Sequence, residues 1–339
     1  MQHLKQRTIT SLLAILILAP AAIARGAETL IMDNGDRLNG HLVRMSDKVL
    51  EFETAYAGRI RVNWSNIREI RSDATFAVHL PGNELVPVSS IIRQDDNLLL
   101  DGRSEPAANV TRINPADWET GRASRFGGEI DAAFKLERGN THENRTEVAG
   151  RLEWQKMRHR IRLAGGFEHG ESNSVVTSDQ WSIESSYDDT NPTRLYYGAR
   201  TSLKSDGMSD LDLRWAIGPH VGYRFIESDR TRLSAETGFE YTSEDYRTLP
   251  PETFPAESWR IEFTHFLIPG KLELYHRDNG RLNLANAGRI SFETWNGVKL
   301  PIAGGLHTSA ELRTSYDADA PADAQSWDTV YRFKVGYTW

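Results

Sequence analysis

The residues that could carry chemistry are few, and two histidines head them. His265 and His276 fall on the apolar parity of their segments, and His276 opens the run His276-Arg277-Asp278-Asn279-Gly280. A histidine close to a hydroxyl is the arrangement of acyl transfer, in which the imidazole takes the nucleophile's proton. Two residues on, the run offers Asp278 rather than a serine, and a carboxylate has no hydroxyl to activate. Both histidines are therefore read as interfacial side chains, and no catalytic residue is assigned. Asp317, Asp319, Asp323 and Asp328 offer oxygens for Ca²⁺ or for a divalent bridge to lipopolysaccharide. They lack the tight spacing and turn glycine of a dedicated loop, so a solvated surface loop is expected and no metal is assigned. The chain contains 0 Cys, which excludes a thiol nucleophile, a Cys-type zinc site, a disulfide scaffold and a lipidated cysteine. No cofactor site is expected.

The 339 residues carry 40 Lys+Arg against 47 Asp+Glu, and 39% are hydrophobic. A mean hydropathy of -0.52 resembles that of a water-soluble protein. The net charge of -7 argues against nucleic acid as a partner, because phosphate binding needs a basic surface. The first 24 residues differ from the rest: Lys5 and Arg7 precede an apolar stretch from Ile9 to Ala19, and Ala22-Ile23-Ala24 supplies a small-x-small cleavage site. Residues 1–24 are thus expected to be a secretory signal peptide, and the protein is expected to leave the cytoplasm. No later segment approaches 18 consecutive apolar residues, so no spanning helix is expected.

From residue 126 to the C-terminus the pattern is period two, twelve times over. The sixth segment is the clearest: Leu211, Leu213, Trp215, Ile217, Val221, Tyr223 and Phe225 alternate with Asp212, Arg214, His220 and Arg224. The apolar parity is nearly free of charge, whereas the polar parity carries charges of both signs. That division suits a transmembrane antiparallel β-barrel of about twelve strands, with lipid outside and a polar lumen inside. Connections alternate in length. Lys156-Met157-Arg158, Glu227 to Arg230, Ile268-Pro269-Gly270 and Pro301 to Gly304 are short. Longer polar loops are expected at His169 to Thr177, Ser243 to Glu257, Arg277 to Asn286 and Asp317 to Ser326. The ninth segment looks short, and the tenth looks interrupted near Trp295-Asn296-Gly297, so the count carries an uncertainty of two strands around residues 268–300. An even count places both barrel ends on the periplasmic side of an outer membrane. Phe333, Val335, Tyr337 and Trp339 form the aromatic C-terminal signal expected to engage the barrel assembly machinery.

Residues 28–115 read as a separate small β module in the periplasm. Asn34-Gly35 marks a tight hairpin, and a weaker echo of the first half begins about 46 residues on. Leu98-Leu99-Leu100 stands where Val49-Leu50 stood, and Val110-Thr111-Arg112-Ile113 echoes Ile67-Arg68-Glu69-Ile70. An SH3/Sm-like barrel, possible in two copies, is expected, with docking of a periplasmic partner as its role. Residues 116–125 read as a polar linker.

Several stretches resemble the DUF481 family, whose members include salt-induced outer-membrane proteins of Gram-negative cell envelopes. They are Gly139-Asn140-Thr141, Asp210-Leu211-Asp212-Leu213-Arg214, Gly222-Tyr223-Arg224-Phe225-Ile226 ahead of Asp229-Arg230-Thr231, and the end Gly336-Tyr337-Thr338-Trp339. Asn34-Gly35-Asp36-Arg37-Leu38-Asn39-Gly40 and Tyr56-Ala57-Gly58 resemble the module found ahead of many such barrels. The resemblance implies an outer-membrane location and a barrel, with no catalytic residues or ligand to carry over. It fits a non-enzymatic protein with a structural or salt- and osmotic-stress role, in contact with outer-membrane lipid and lipopolysaccharide.

The polar parity should fill the bore with paired charges. Arg151, Arg162, Arg200, Arg214 and Arg224 are the candidate cations, and Glu153, Asp212 and Glu236 the candidate anions, with pairing expected between neighbouring strands. A selective pore usually shows a one-sign constriction instead. A narrow ion or small-solute channel is the alternative. An outer-membrane lipid-acting enzyme is a remote one, because outer-membrane phospholipases place a Ser-His pair on the lipid face of a twelve-strand barrel and the His276 run is superficially similar.

Overall fold

The computed structural model describes residues 28–46, 48–137, 143–190, 194–228, 230–286, 288–318 and 326–339. The leader expected at 1–24, Gly139-Asn140-Thr141, Asp229, Asp319 and Asp323 lie outside the described residues. Every long element described is a strand, and the chain divides after Pro115 into two compact units.

The first unit has nine strands: β1 (Glu28–Met32), β2 (Arg37–Ser46), β3 (Val49–Thr54), β4 (Gly58–Asn63), β5 (Ile67–Leu80), β6 (Glu84–Gln94), β7 (Asn97–Leu100), β8 (Arg103–Pro106) and β9 (Arg112–Ile113). Asn34-Gly35 turns the first hairpin, with Gly35 at φ +88° and the Asp36 N–H donating to the Asn34 side chain at 3.0 Å. Alternate residues of the strands meet in one core, where Leu30, Leu50, Phe52, Ile70, Val78 and Ile113 are fully buried.

The two stretches that echo one another in sequence pair as follows. In the first copy β1 pairs with β2 and with the first half of β5. In the second copy the latter half of β5 plays the part of β1, pairing with β6 and with β9. The closing strands are exchanged. The first half of β5 goes on to β6 of the second copy through Ile70↔Ile91, and β9 goes on to β2 of the first through Met45↔Ile113. One shared core follows from this exchange.

In the second unit, residues 116–124 lead into twelve strands that close on themselves. They are β10 (Arg125–Glu137), β11 (Glu143–Lys156), β12 (His159–Ser172), β13 (Val175–Asp189), β14 (Leu195–Asp206) and β15 (Leu211–Glu227). Then come β16 (Thr231–Tyr246), β17 (Glu252–Ile268), β18 (Leu272–Asn283), β19 (Ile290–Ala303), β20 (Leu306–Asp317) and β21 (Trp327–Thr338). All neighbours are antiparallel, so the start of β10 and the end of β21 share one rim.

Three expectations about this barrel need correction. The long loops at His169–Thr177, Ser243–Glu257 and Arg277–Asn286 are mostly strand. β12 and β13 pair as far as Ser172↔Val175, β16 and β17 as far as Glu244↔Glu252, and Arg277 to Asn283 belong to β18. The strands outlast their apolar alternation because backbone pairing needs no apolar side chain. The ninth segment is a 12-residue strand, and β19 runs unbroken through Trp295-Asn296-Gly297. Arg125, assigned to the linker, is already in β10.

The exterior is what water would not stabilise. Phe333 is 80% exposed, Tyr331 77% and Phe239 65%, while the inward Glu311 is 3% exposed. Each large apolar side chain left in water forgoes about 1.5–3 kcal/mol of burial. A sheet that faces many of them outward and its charges inward has its polarity matched to lipid. The seam between β10 and β21 is short. Pairing runs from Glu129↔Thr338 to Ala132↔Val335, and Trp339 then exchanges backbone hydrogen bonds with Gly128 at 3.0 and 3.2 Å.

Candidate functional site

The bore is the place where the unusual chemistry gathers, because the inward parity of every strand points there. One cluster lies on β12 to β17. Arg162 donates to Glu236 at 2.7 Å across four strands, and Glu236 also takes Arg200 and the Tyr196 hydroxyl, the latter at 2.9 Å. Arg260 of β17 donates to both oxygens of Glu184 on β13 at 2.5 and 2.6 Å. Asp188 accepts from Arg160 at 2.9 Å and lies 2.7 Å from Nε2 of His220.

A second cluster ties β11 and β12 to β18–β21. Glu168 accepts from Arg332 at 2.5 Å and from Ser178 at 2.9 Å, with Arg313 at 3.6 Å. Glu311 accepts from Lys334 at 2.5 Å and from the Tyr275 hydroxyl at 2.9 Å. Lys204 of β14 reaches Glu293 of β19 at 3.0 Å, and Arg313 reaches the same carboxylate at 2.9 Å.

Nearer the rim that holds both barrel ends, Glu129 accepts from Lys299 at 2.7 Å and Arg151 at 3.1 Å, and His307 lies 2.9 Å from Asp131. Glu129, Asp131 and His307 have donor atoms close enough to share a cation. The ammonium and guanidinium already on Glu129 supply that charge from the protein itself.

Two tyrosines take part because glycine lets them lie flat on the wall. Tyr196 is the direct partner of Gly222 and Tyr275 of Gly297, and a Cβ on either glycine would sit 2.2–2.3 Å from the ring. Each hydroxyl thereby reaches a carboxylate two strands away.

Of the residues singled out in the sequence, Arg162, Arg200 and Glu236 meet in the first cluster, and Arg151 meets Glu129. Arg214 pairs with Glu244 at 2.5 Å toward the opposite rim, where a recess is lined by Arg214, Glu244, Phe254, Arg281 and Arg289. Glu153 pairs with Arg125 at 2.7 Å, and Arg224 with Glu227 at 3.0 Å near the rim of the chain ends. Asp212 is not in the bore. It is well exposed, because the register shifts between Leu211 and Leu213, and its nearest cation is Arg247 at 3.9 Å. The expected neighbour-to-neighbour pairing is the smaller part of the network, since inward side chains reach beyond the adjacent strand. Lys204, Lys299, Lys334, Glu168 and Asp188 were missed although they share the same parity. Inspecting every charged residue on that parity finds them.

On the outer face, His265 lies near the end of β17, 2.9 Å from the Thr231 hydroxyl, whereas His276, expected at an interface, stands in mid-strand with Nδ1 2.8 Å from Asn296. Asp278 accepts from the Trp259 indole at 2.6 Å. Phe333, Val335 and Tyr337 face outward, and the Tyr337 and Trp339 rings stack at 6.1 Å.

A family model described as "Protein of unknown function, DUF481" matches residues 130–339. No curated protein sequence matches the chain. Among solved structures, the NanC porin has TM-score 0.37 and 7% identity, covering 62% of this chain and 98% of that one. The anion-selective porin from Comamonas acidovorans has TM-score 0.32 and 9% identity, covering 64% and 99%. The translocator domain of autotransporter NalP from Neisseria meningitidis has TM-score 0.34 and 12% identity, covering 63% and 87%.

Proposed function

The chain belongs to the DUF481 family, and from that premise we propose that it is an integral outer-membrane β-barrel with a structural or salt- and osmotic-stress role rather than a catalytic one. The observation that carries this reading is the bore itself. Arg162–Glu236 and Arg260–Glu184 each join strands four apart in a ring of twelve, and Lys204–Glu293 joins strands five apart. Side chains bonded across the lumen occupy the path a solute would take. Both signs of charge are present and mutually neutralised, unlike a selectivity ring.

In the same reading, residues 1–24 direct export and the 28–115 module lies in the periplasm, where it docks a partner. The exterior meets lipid and lipopolysaccharide. Phe333, Val335, Tyr337 and Trp339 address the barrel to its assembly machinery.

Planar-bilayer recording of the refolded protein tests the proposal. Wild-type insertions are expected to give no stepwise conductance, and loss of the cross-lumen pairs in an Arg162→Ala, Arg260→Ala variant is expected to give steps. Wild-type steps that vanish on charge reversal at Arg214 would overturn it. They would favour the second reading, a narrow ion channel, for which the arginine-lined recess at Arg214, Arg281 and Arg289 speaks.

A further inference from the structure

We propose that a polar cluster in the middle of the lipid-facing wall, centred on His276, Asp278 and Asn296, is a self-association surface at which two copies of this chain pair about a two-fold axis. The proposal rests on the membrane placement above and adds an oligomeric partner to it.

The outward residues of β18 are Leu272, Leu274, His276, Asp278, Gly280 and Leu282, so the polar pair has apolar neighbours along the strand on both sides. On β19 the direct partners of His276 and Asp278 are Asn296 and Thr294, and these lie between Phe292 and Val298. Lipid headgroups meet a barrel at the edges of its apolar belt, whereas these groups are enclosed within it. Polar side chains at such depth are costly when nothing polar faces them.

The cluster is only half satisfied from within. Trp259 donates to one Asp278 oxygen at 2.6 Å, and its ring lies flat over Gly280, where a Cβ would come within 1.9 Å. The Asn296 oxygen faces Nδ1 of His276 at 2.8 Å, which leaves the Asn296 amide nitrogen to donate elsewhere. Among the described residues, His276 Nε2, Asp278 Oδ2 and the Asn296 amide nitrogen have no hydrogen-bond partner. The patch therefore holds an acceptor on Asp278 and a donor on Asn296 side by side, next to the Trp259 ring that covers Gly280. Acyl chains offer neither donor nor acceptor. A second copy turned by a two-fold axis offers both, placing each Asn296 amide against the other copy's acceptors.

The full-length protein, labelled with donor and acceptor dyes and diluted in lipid vesicles, tests this by energy transfer. Wild type is expected to dimerise, and Asp278→Leu combined with Asn296→Leu is expected to weaken association at least tenfold. Making the lipid face more apolar should leave insertion intact, which heat-modifiable gel migration verifies. Because the chain has 0 Cys, single cysteines give a second readout. Oxidation should cross-link Asn296→Cys into dimers but not Leu163→Cys on β12. A monomer at every lipid dilution, unchanged association in the double variant, or equal cross-linking at both positions would overturn the proposal while leaving the barrel reading intact. A chain whose migration never shifts on heating overturns both.

Discussion

Glu236 gathers several of the bore's side chains at one point, since it accepts from Arg162, Arg200 and Tyr196 at once while only 5% exposed. Glu236→Gln keeps its shape but leaves two guanidinium groups short of their counter-charge. Breaking a buried pair costs about 3–5 kcal/mol, so the urea midpoint of the folded barrel should fall by that equivalent. An unchanged midpoint would show the cluster contributes little to stability. In the first unit, Asp101 accepts from the backbone N–H and hydroxyl of both Ser89 and Ser90 at 2.8–3.0 Å. The Ser89 N–H first, and the other donors with it, hold the Asp101 carboxyl below its ordinary value of 3.8. A carboxylate so lowered stabilises the fold above its ordinary pKa and loses that contribution as pH falls through its folded value. Hydrogen exchange of the Ser89 and Ser90 amides should therefore keep its protection down to about pH 4 and lose it at lower pH, and Asp101→Asn should remove this pH dependence. Residue parity was readable in the sequence because alternation is a local property. Partners such as Arg260–Glu184 were not, because they depend on height along strands whose relative stagger no local pattern records.

At the scale of elements, the aromatic–glycine pairs and the seam carry opposite expectations. Gly297→Val would push the Tyr275 ring off the wall and its hydroxyl away from Glu311. Overpacking of this kind costs about 1–3 kcal/mol, measurable as a lower temperature for the heat-induced gel shift, and Gly222→Val should do likewise against Tyr196. The seam should be the first place to open. β15 and β16 pair along nearly their whole length, whereas β10 and β21 share four register pairs. Backbone amides of Thr329 to Phe333 that face the seam should exchange faster than those of Trp215 to Gly222, and equal protection would contradict this ordering. All twelve strands were readable from their alternation, including β18 and β19, where the count was in doubt. Their ends were not. Stretches such as Ser243 to Tyr246 pair as strand through the backbone alone, and a polar composition conceals that.

For the molecule as a whole, a bore closed as proposed should stay closed in high salt. At about 1 M salt the screening length in water is about 3 Å, yet buried pairs are screened far less than exposed ones. Liposomes carrying the barrel should exclude small sugars equally at low and high ionic strength, and swelling that appears only in high salt would mean the cross-lumen pairs are water-accessible. The composition suggested a water-soluble chain because averaging over both parities cancels the two faces of each strand. The strand exchange in the first unit has a consequence in time. A chain released from its N-terminus onward cannot finish its first β copy when that copy's own residues are out. The first half of β5 waits for β6, and β2 waits for β9. The unit becomes complete only when Ile113 arrives, so everything ahead of β9 travels as an unclosed intermediate.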